Sequence, residues 1–405
     1  MELSHGFHVS GGDAPPQLRF CIAIQSYPEG RTAPGALVTY LDANATEPLR
    51  AAARTAVLAA LETLGNPSSV HRAGRAARRI LEDAREAIAA RFGAGAGAVV
   101  FTSGGTEADA LAVHALAARD GRRVIVGATE HDAIRAAAPG AAVLPVDADG
   151  IADLDALDSL LAAGGPALVC LMLANNETGV IQPIREAAAL CRRHGALLHV
   201  DAVQAAGRIA VDLAALGADS LALSSHKLGG PQGAGALLLA PELASIAPLI
   251  AGGGQERGRR GGTPALPAIA GFAAAALAEP PDAARMAQLR DALEDEAVAA
   301  GAVRVAARAP RLANTACLAL PGVRADAQVI ALDLAGFAVS AGAACSSGKV
   351  SASHVLAAMG LGEMAGQAIR VSLPWNVTEA DVLAFGPAYA AMAARLRPAL
   401  AMHPA

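Results

Sequence analysis

Lysine is nearly absent from this sequence. Among 405 residues only Lys227 and Lys349 occur, every other strongly basic side chain being arginine. A guanidinium stays protonated and forms no Schiff base, whereas a lysine amine can shed its proton when partly buried and attack a carbonyl. A lysine kept in so arginine-rich a chain asks for a chemical explanation. Aromatics are also few, at 3%, and much of the 54% hydrophobic fraction is alanine, which marks small helix-forming residues and not a membrane solvent. The longest apolar stretch, Ala265 to Ala278, contains Pro267 and falls short of the roughly 20 residues of a spanning helix. No transmembrane helix is expected.

No basic run accompanies the net charge of -5, which argues against nucleic acid as the main partner. Residues 1–37 lack a basic start, a long apolar stretch and a small-residue cleavage site, so a flexible extension is expected there and not a secretory leader. A cytoplasmic location follows. The five cysteines, Cys21, Cys170, Cys191, Cys317 and Cys345, are odd in number and lack C-x-x-C spacing. This disfavours a disulfide framework and a zinc site, leaves at least one thiol free, and gives no metal site.

The length points to two domains. From Ala98 to Ala240 the runs VVFTS, VIVGAT, AVLPVD, ALVCLML, LLHVDA, SLALSS and AGALLLA alternate with alanine-rich helical stretches such as Glu107 to Ala118 and Ile184 to His194. That alternation predicts a doubly wound α/β domain with a mostly parallel sheet, whose ligands bind beyond the carboxyl ends of the strands. After the glycine-rich stretch Gly252 to Gly262 come helices at Leu266 to Ala278 and Asp282 to Ala299, then strands near Thr315 to Leu320 and Phe337 to Ser340. A smaller α+β domain fits that pattern.

Polar residues follow several of the runs. Ser103-Gly104-Gly105-Thr106 precedes a helix and forms an anion site at its N-terminus, without the Gly-Lys-Ser/Thr ending of a nucleoside-triphosphate loop. Asp201 closes LLHVD, and Ser224-Ser225-His226-Lys227 closes SLALS. A lysine for an aldehyde, a carboxylate for a pyridine nitrogen and a phosphate cradle are what pyridoxal phosphate requires. Taken singly, Thr106 and Asp201 read equally as helix caps and His226 as a core histidine. Cys345 lies in Ser340-Ala341-Gly342-Ala343-Ala344-Cys345-Ser346-Ser347-Gly348, a small-residue run suited to a mobile loop carrying a nucleophilic thiol, whereas Cys170 and Cys191 read as buried and inert.

From about Thr39 to beyond Asp381 the chain resembles the cysteine desulfurases of the class V aminotransferase family. The resemblance is carried by Tyr40 to Thr46, Gly65 to Ser69, Phe101 to Glu107, Glu130-His131, Asn175 to Gly179, His199 to Gln204, Ser225 to Gly235, Gly252 to Thr263 and Ser340 to Gly348. It implies a fold-type I pyridoxal-phosphate transferase with a seven-stranded, mostly parallel sheet. The implied division is an extension (1–37), an N-terminal segment of the small domain (38–50), a large cofactor-binding domain (51–264) and a small α+β domain with the cysteine loop (265–405).

The same resemblance implies site roles. Lys227 holds the cofactor aldehyde, Asp201 pairs with the ring nitrogen, Gln204 meets the ring oxygen, and His131 stacks on the ring and shuttles protons. Gly105, Thr106, Ser224 and His226 hold the phosphate, Thr263 reaches the neighbouring subunit's phosphate in a homodimer, and Asn176 and Arg370 bind the substrate carboxylate. Cys345 takes the sulfur of L-cysteine as a persulfide and passes it to an acceptor such as an iron-sulfur scaffold, leaving L-alanine. A selenocysteine lyase, a related lyase needing no thiol, and a catalytically silent sulfur-relay scaffold are the alternatives. Departures from the family pattern fall at Ala43, Glu47, Asp109, Gln232, Pro264 and Pro374-Trp375.

Overall fold

The computed structural model describes residues 38–342 and 352–401, so the expected extension 1–37 and Cys345 lie outside the described residues. The first strand, β1 (Thr39–Tyr40), is followed by the seven runs read from the sequence, each of which forms a strand of one sheet. These are β2 (Val99–Thr102), β3 (Arg123–Gly127), β4 (Ala142–Leu144), β5 (Ala167–Cys170), β6 (Leu197–Asp201), β7 (Ser220–Ser224) and β8 (Gly235–Leu239). Their order is β2-β8-β7-β6-β5-β3-β4.

Strands β7, β6, β5, β3 and β4 pair in parallel, while β8 is antiparallel to both neighbours. The reason is the connection: residues 225–234 between β7 and β8 hold no crossover helix, and only antiparallel strands can be joined without one. Since β2 and β7 flank antiparallel β8, they run the same way, and the loop after β2 opens on the edge where β3, β5, β6 and β7 end.

Side chains alternate across this sheet with the strand period of two. Val99, Phe101, Val169, Leu198, Val200, Leu221 and Leu223 face one apolar core with helices Arg72–Arg91, Ile184–Arg193 and Leu266–Leu277. Val100, Leu168, Cys170, Ala222 and Leu237 face the other, which is covered by helix Gly105–Ala118 through Ala108, Leu111, Ala112 and Leu116. Burial on both faces is why the runs read as continuously apolar.

The second sheet takes β9 (Val303–Arg304), β10 (Thr315–Ala319), β12 (Ser340–Ala341) and β13 (Ala368–Ser372) in the antiparallel order β12-β13-β10-β9, and β11 (Phe337–Ala338) pairs in parallel with β1. The strand expected over Phe337 to Ser340 is thus two strands broken at Val339, because its halves pair with different partners. Helices Ala283–Ala299 and Glu379–Ala401 cover this sheet. Leu289, Leu293, Phe385 and Tyr389 are buried against Leu318, Ile369 and Val371, with the Phe337 and Phe385 rings edge to face at 5.6 Å. No described helix is long and apolar enough to cross a membrane.

Candidate active site

The carboxyl edge of the large sheet holds a cavity of about 260 Å³. Of the residues expected at the site, Gly105, Thr106, His131, Asn176, Asp201, Gln204, Ser224, His226 and Lys227 line it together. Arg370 and Thr263 do not. Strand ends explain the convergence: β2 delivers Gly105 and Thr106, β3 His131, β5 Asn176, β6 Asp201 and Gln204, and β7 the rest.

The anion turn begins earlier than the sequence pattern indicates, since the helix starts at Gly105 and not near Glu107. The Glu107 side chain, at the third helical position, turns back to accept from the Ser103 N–H at 2.8 Å and holds the turn. Early amides of the helix stay free of intrahelical partners, which is what an anion needs. A Cβ on Gly105 would lie 2.7 Å from Val203 Cγ2 and 3.4 Å from Ser224 Cβ. Only glycine leaves the cradle open.

Lys227 sits in the turn Ser225–Lys227 after β7. Its Nζ donates to the Asn44 carbonyl at short range and to the Ala45 carbonyl at 2.9 Å. Burial, with Arg370 and Arg208 nearby, lowers its pKa from 10.5 to about 7, against the opposing pull of Asp42 and Asp201. Near neutrality much of the amine is therefore unprotonated and nucleophilic. Asp201 is buried and accepts from the Val203 N–H at 2.9 Å. Burial and the neighbouring Asp109 raise its pKa to about 7. A buried carboxylate this poorly matched by cations suits a protonated ring nitrogen.

His131 caps helix Asp132–Ala137, its Nδ1 accepting from the Ala133 N–H at 3.1 Å, so its exposed ring is fixed over the cavity. His226 Nδ1 lies 3.1 Å from Thr46 Oγ1, and burial with the cations Lys227 and Arg208 lowers its pKa to about 4. It is neutral at physiological pH.

Arg370, on β13, donates to Asp42 Oδ1 at 2.7 Å and to the Asn176 carbonyl at 3.1 Å, and its buried Nε has no partner among the described residues. Thr263 is exposed beside a second cavity of about 110 Å³ that it shares with Arg260 and Phe101. Gly342 and Ser353 both lie against Glu177, next to Asn176. A Cβ on Gly342 would lie 2.4 Å from Glu177 Oε2, and Ser353 Oγ donates to that oxygen at 2.6 Å. Cys170 and Cys191 are buried in the core, and burial pushes both thiols up, Cys191 to about 12.

Several residues at the site carry no role in the sequence reading. Asp42 and Asn44 reach it from the N-terminal segment, Glu130 lies fully buried and donates order through the Met172 N–H it accepts at 2.6 Å, and Arg208 reaches back to Gln204. His199 had one local signal, its place two residues before Asp201 on the same strand and hence on the same face.

A reactive lysine, a buried carboxylate and an open anion turn on one sheet edge define an enzyme that works through pyridoxal 5'-phosphate. The class-V aminotransferase family model matches residues 39–385, and the chain belongs to that family. Its cofactor is accordingly pyridoxal 5'-phosphate. Among its relatives are a cysteine desulfurase of Cereibacter sphaeroides, 45% identical over 359 residues covering 85% of this chain and 92% of the relative, and an IscS-like cysteine desulfurase of Mycobacterium tuberculosis, 40% identical over 370 residues and covering 85% and 93%. The solved NifS-like protein of Rickettsia africae superposes with a TM-score of 0.80 at 34% identity, covering 88% of this chain and 99% of that one.

Proposed function

We propose that this chain is a cysteine desulfurase that moves the sulfur of L-cysteine onto Cys345 and releases L-alanine. The reading is supported above all by the cavity in which Lys227, Asp201 and the Gly105–Thr106 turn meet, in a chain whose full-length relatives are named cysteine desulfurases.

Lys227 binds the cofactor aldehyde, its amine kept reactive by burial and by Arg370 and Arg208. Asp201 holds the ring nitrogen protonated, Gln204 meets the ring oxygen, His131 covers the ring face, and Gly105, Thr106, Ser224 and His226 hold the phosphate. So bound, the cofactor supplies an electron sink for bond changes at the substrate's α-carbon. Asn176 and Arg370 take the substrate carboxylate, for which a planar guanidinium is well shaped once it exchanges its bonds to the Asn176 carbonyl and Asp42. Lys227 or His131 removes the α-proton and returns it.

The Cys345 thiolate attacks the substrate sulfur: an S–S bond forms, the C–S bond breaks, and the electron pair left on carbon is protonated to give alanine. Nothing else is consumed, since cysteine and enzyme thiol become alanine and enzyme persulfide. The persulfide passes to an acceptor protein such as an iron-sulfur scaffold in the cytoplasm. Thr263 serves the neighbouring subunit's phosphate in a homodimer.

The test is Cys345→Ala. The variant should load cofactor normally yet release no alanine from cysteine; undiminished alanine release would sink the assignment.

A further inference from the structure

Arg208 is buried 4 residues after Gln204 and uses its donors on both the backbone and the side chain of that residue. Its Nη1 donates to the Gln204 carbonyl at 2.7 Å and to Gln204 Oε1 at 2.9 Å, while Nη2 donates to Glu47 Oε1 at 3.2 Å and to the Ala43 carbonyl at 3.3 Å. A guanidinium has donors only, so the Gln204 atom it meets must be the amide oxygen. Flipping the amide would set NH₂ against N–H. The Gln204 Nε2 is thereby forced to the other side, where it donates to the Asn44 carbonyl at 3.0 Å. Its second hydrogen has no acceptor among the described residues, and the side chain lines the cavity.

Glu47 completes the arrangement. Arg208 and Glu47 side chains are 6% and 7% exposed, so each needs the other to stay charged in place. The second Glu47 oxygen accepts from the Trp375 N–H at 3.2 Å, and Trp375 Nε1 donates to the Pro48 carbonyl at 2.8 Å. Glu47 and Pro374-Trp375 are two of the places where this chain departs from its family's pattern. In the fold they touch, and both bear on Arg208.

We propose that Arg208, anchored by Glu47, is a positioning residue that fixes the Gln204 amide with its NH₂ toward the ring oxygen of the cofactor. This rests on the reading of Gln204 as the ring-oxygen partner. The ring oxygen is an acceptor, so a locked donor lowers its basicity, and with it the pH at which the cofactor bound to Lys227 changes its visible absorption band. Charges facing the Lys227 nitrogen come from Arg370, Arg208, Asp42 and Asp201, so charge and orientation must be separated.

A double-mutant cycle on the holoenzyme separates them, with the band's midpoint pH as the readout. Gln204→Ala should raise the midpoint by about one pH unit, the size of a lost hydrogen bond to the charged form. Arg208→Met should raise it similarly with Gln204 present and do little more in the Gln204→Ala background. An Arg208→Met shift of equal size in both backgrounds would mean that the guanidinium acts only as a charge, and the proposal fails. A silent Gln204→Ala would instead remove the ring contact itself, and with it both readings of that residue. Arg208→Lys, also a donor-only cation, should stay near the parent midpoint and keeps the test open if the Met variant does not fold; a shift in a folded Lys variant as large as that of Gln204→Ala counts against the proposal.

Discussion

The carboxylate of Asp109 lies 3.1 Å from Nε2 of His199, and both side chains are out of contact with solvent. His199 Nδ1 is 2.8 Å from Ser220 Oγ, so a chain of three side chains runs behind Asp201 without reaching water. Burial raises Asp109 well above its ordinary value and lowers His199 to about 4, the second against the pull of Asp201. Burial thus disfavours the charged form of both partners.

Those opposite shifts set a pH dependence. Asp109 holds its proton to higher pH in the fold than in the unfolded chain, so its contribution to stability is full below 3.8 and is lost as pH rises through its folded value. His199 works at the acid end: unfolded imidazole protonates below 6.5 while the buried one resists to about 4, so stability falls as pH drops through that window. Asp109→Asn should flatten the alkaline loss and leave the acid one. Urea midpoints of the cofactor-free protein from pH 5 to 9 measure this, with Glu130 and Asp201, raised by the same burial, keeping part of the alkaline slope. An unchanged slope would mean that Asp109 is ionised in the fold.

Lys227 should load cofactor with a rate that climbs through about pH 7, because only the free amine attacks the aldehyde. Stopped-flow absorbance of cofactor-free protein mixed with pyridoxal phosphate gives the profile. An inflection near the ordinary lysine value of 10.5 would contradict the buried environment. Lys227→Ala should give no borohydride-fixable yellow species at any pH.

Arg85 grips Glu256 through two bonds of 2.7 and 2.8 Å, with both side chains almost fully buried. Glu256 and the next residue, Arg257, hold positive φ angles of 46° and 60°, a strained conformation for side chains of this kind. Arg85→Met should leave a buried unpaired carboxylate and destabilise the protein by about 3–5 kcal/mol. Limited proteolysis should show new cleavage between residues 250 and 263, and an unchanged urea midpoint would refute the clamp.

Gly105→Ala should weaken cofactor binding, since the new methyl meets Val203 Cγ2. Overpacking of this kind costs about 1–3 kcal/mol, or roughly 5- to 150-fold in the dissociation constant. Pairing it with Val203→Ala should recover part of the affinity, as measured by titration of the cofactor-free protein. No recovery would place the strain elsewhere in the turn.

Much of this was legible in the chain. The seven apolar runs became seven strands because a strand buried on both faces must be apolar throughout. Lys227, Asp201 and Gly105–Thr106 were readable for a similar reason: each follows a run directly, and strand ends in such a sheet share one edge. The start of helix Gly105–Ala118 was set by a side chain, Glu107, turning back on Ser103, and an apolar pattern does not show that. Ser340 was assigned to the wrong strand because pairing partners, not composition, split 337–341 between two sheets.

The sequence alone determined the pieces that meet at the cavity, since a nucleophilic amine, a carboxylate and a glycine turn are properties of residue type and of position along a strand. The electrostatics that make them work belong to the tertiary structure. Asp42 meets Arg370 across 328 positions, Lys227 leans on Asn44 across 183, and Arg208 finds Glu47 across 161. No local pattern encodes such pairs. Only folding brings them close and removes water from between them, and that dry proximity moves the Lys227 and Asp201 protons to where chemistry near neutral pH can use them.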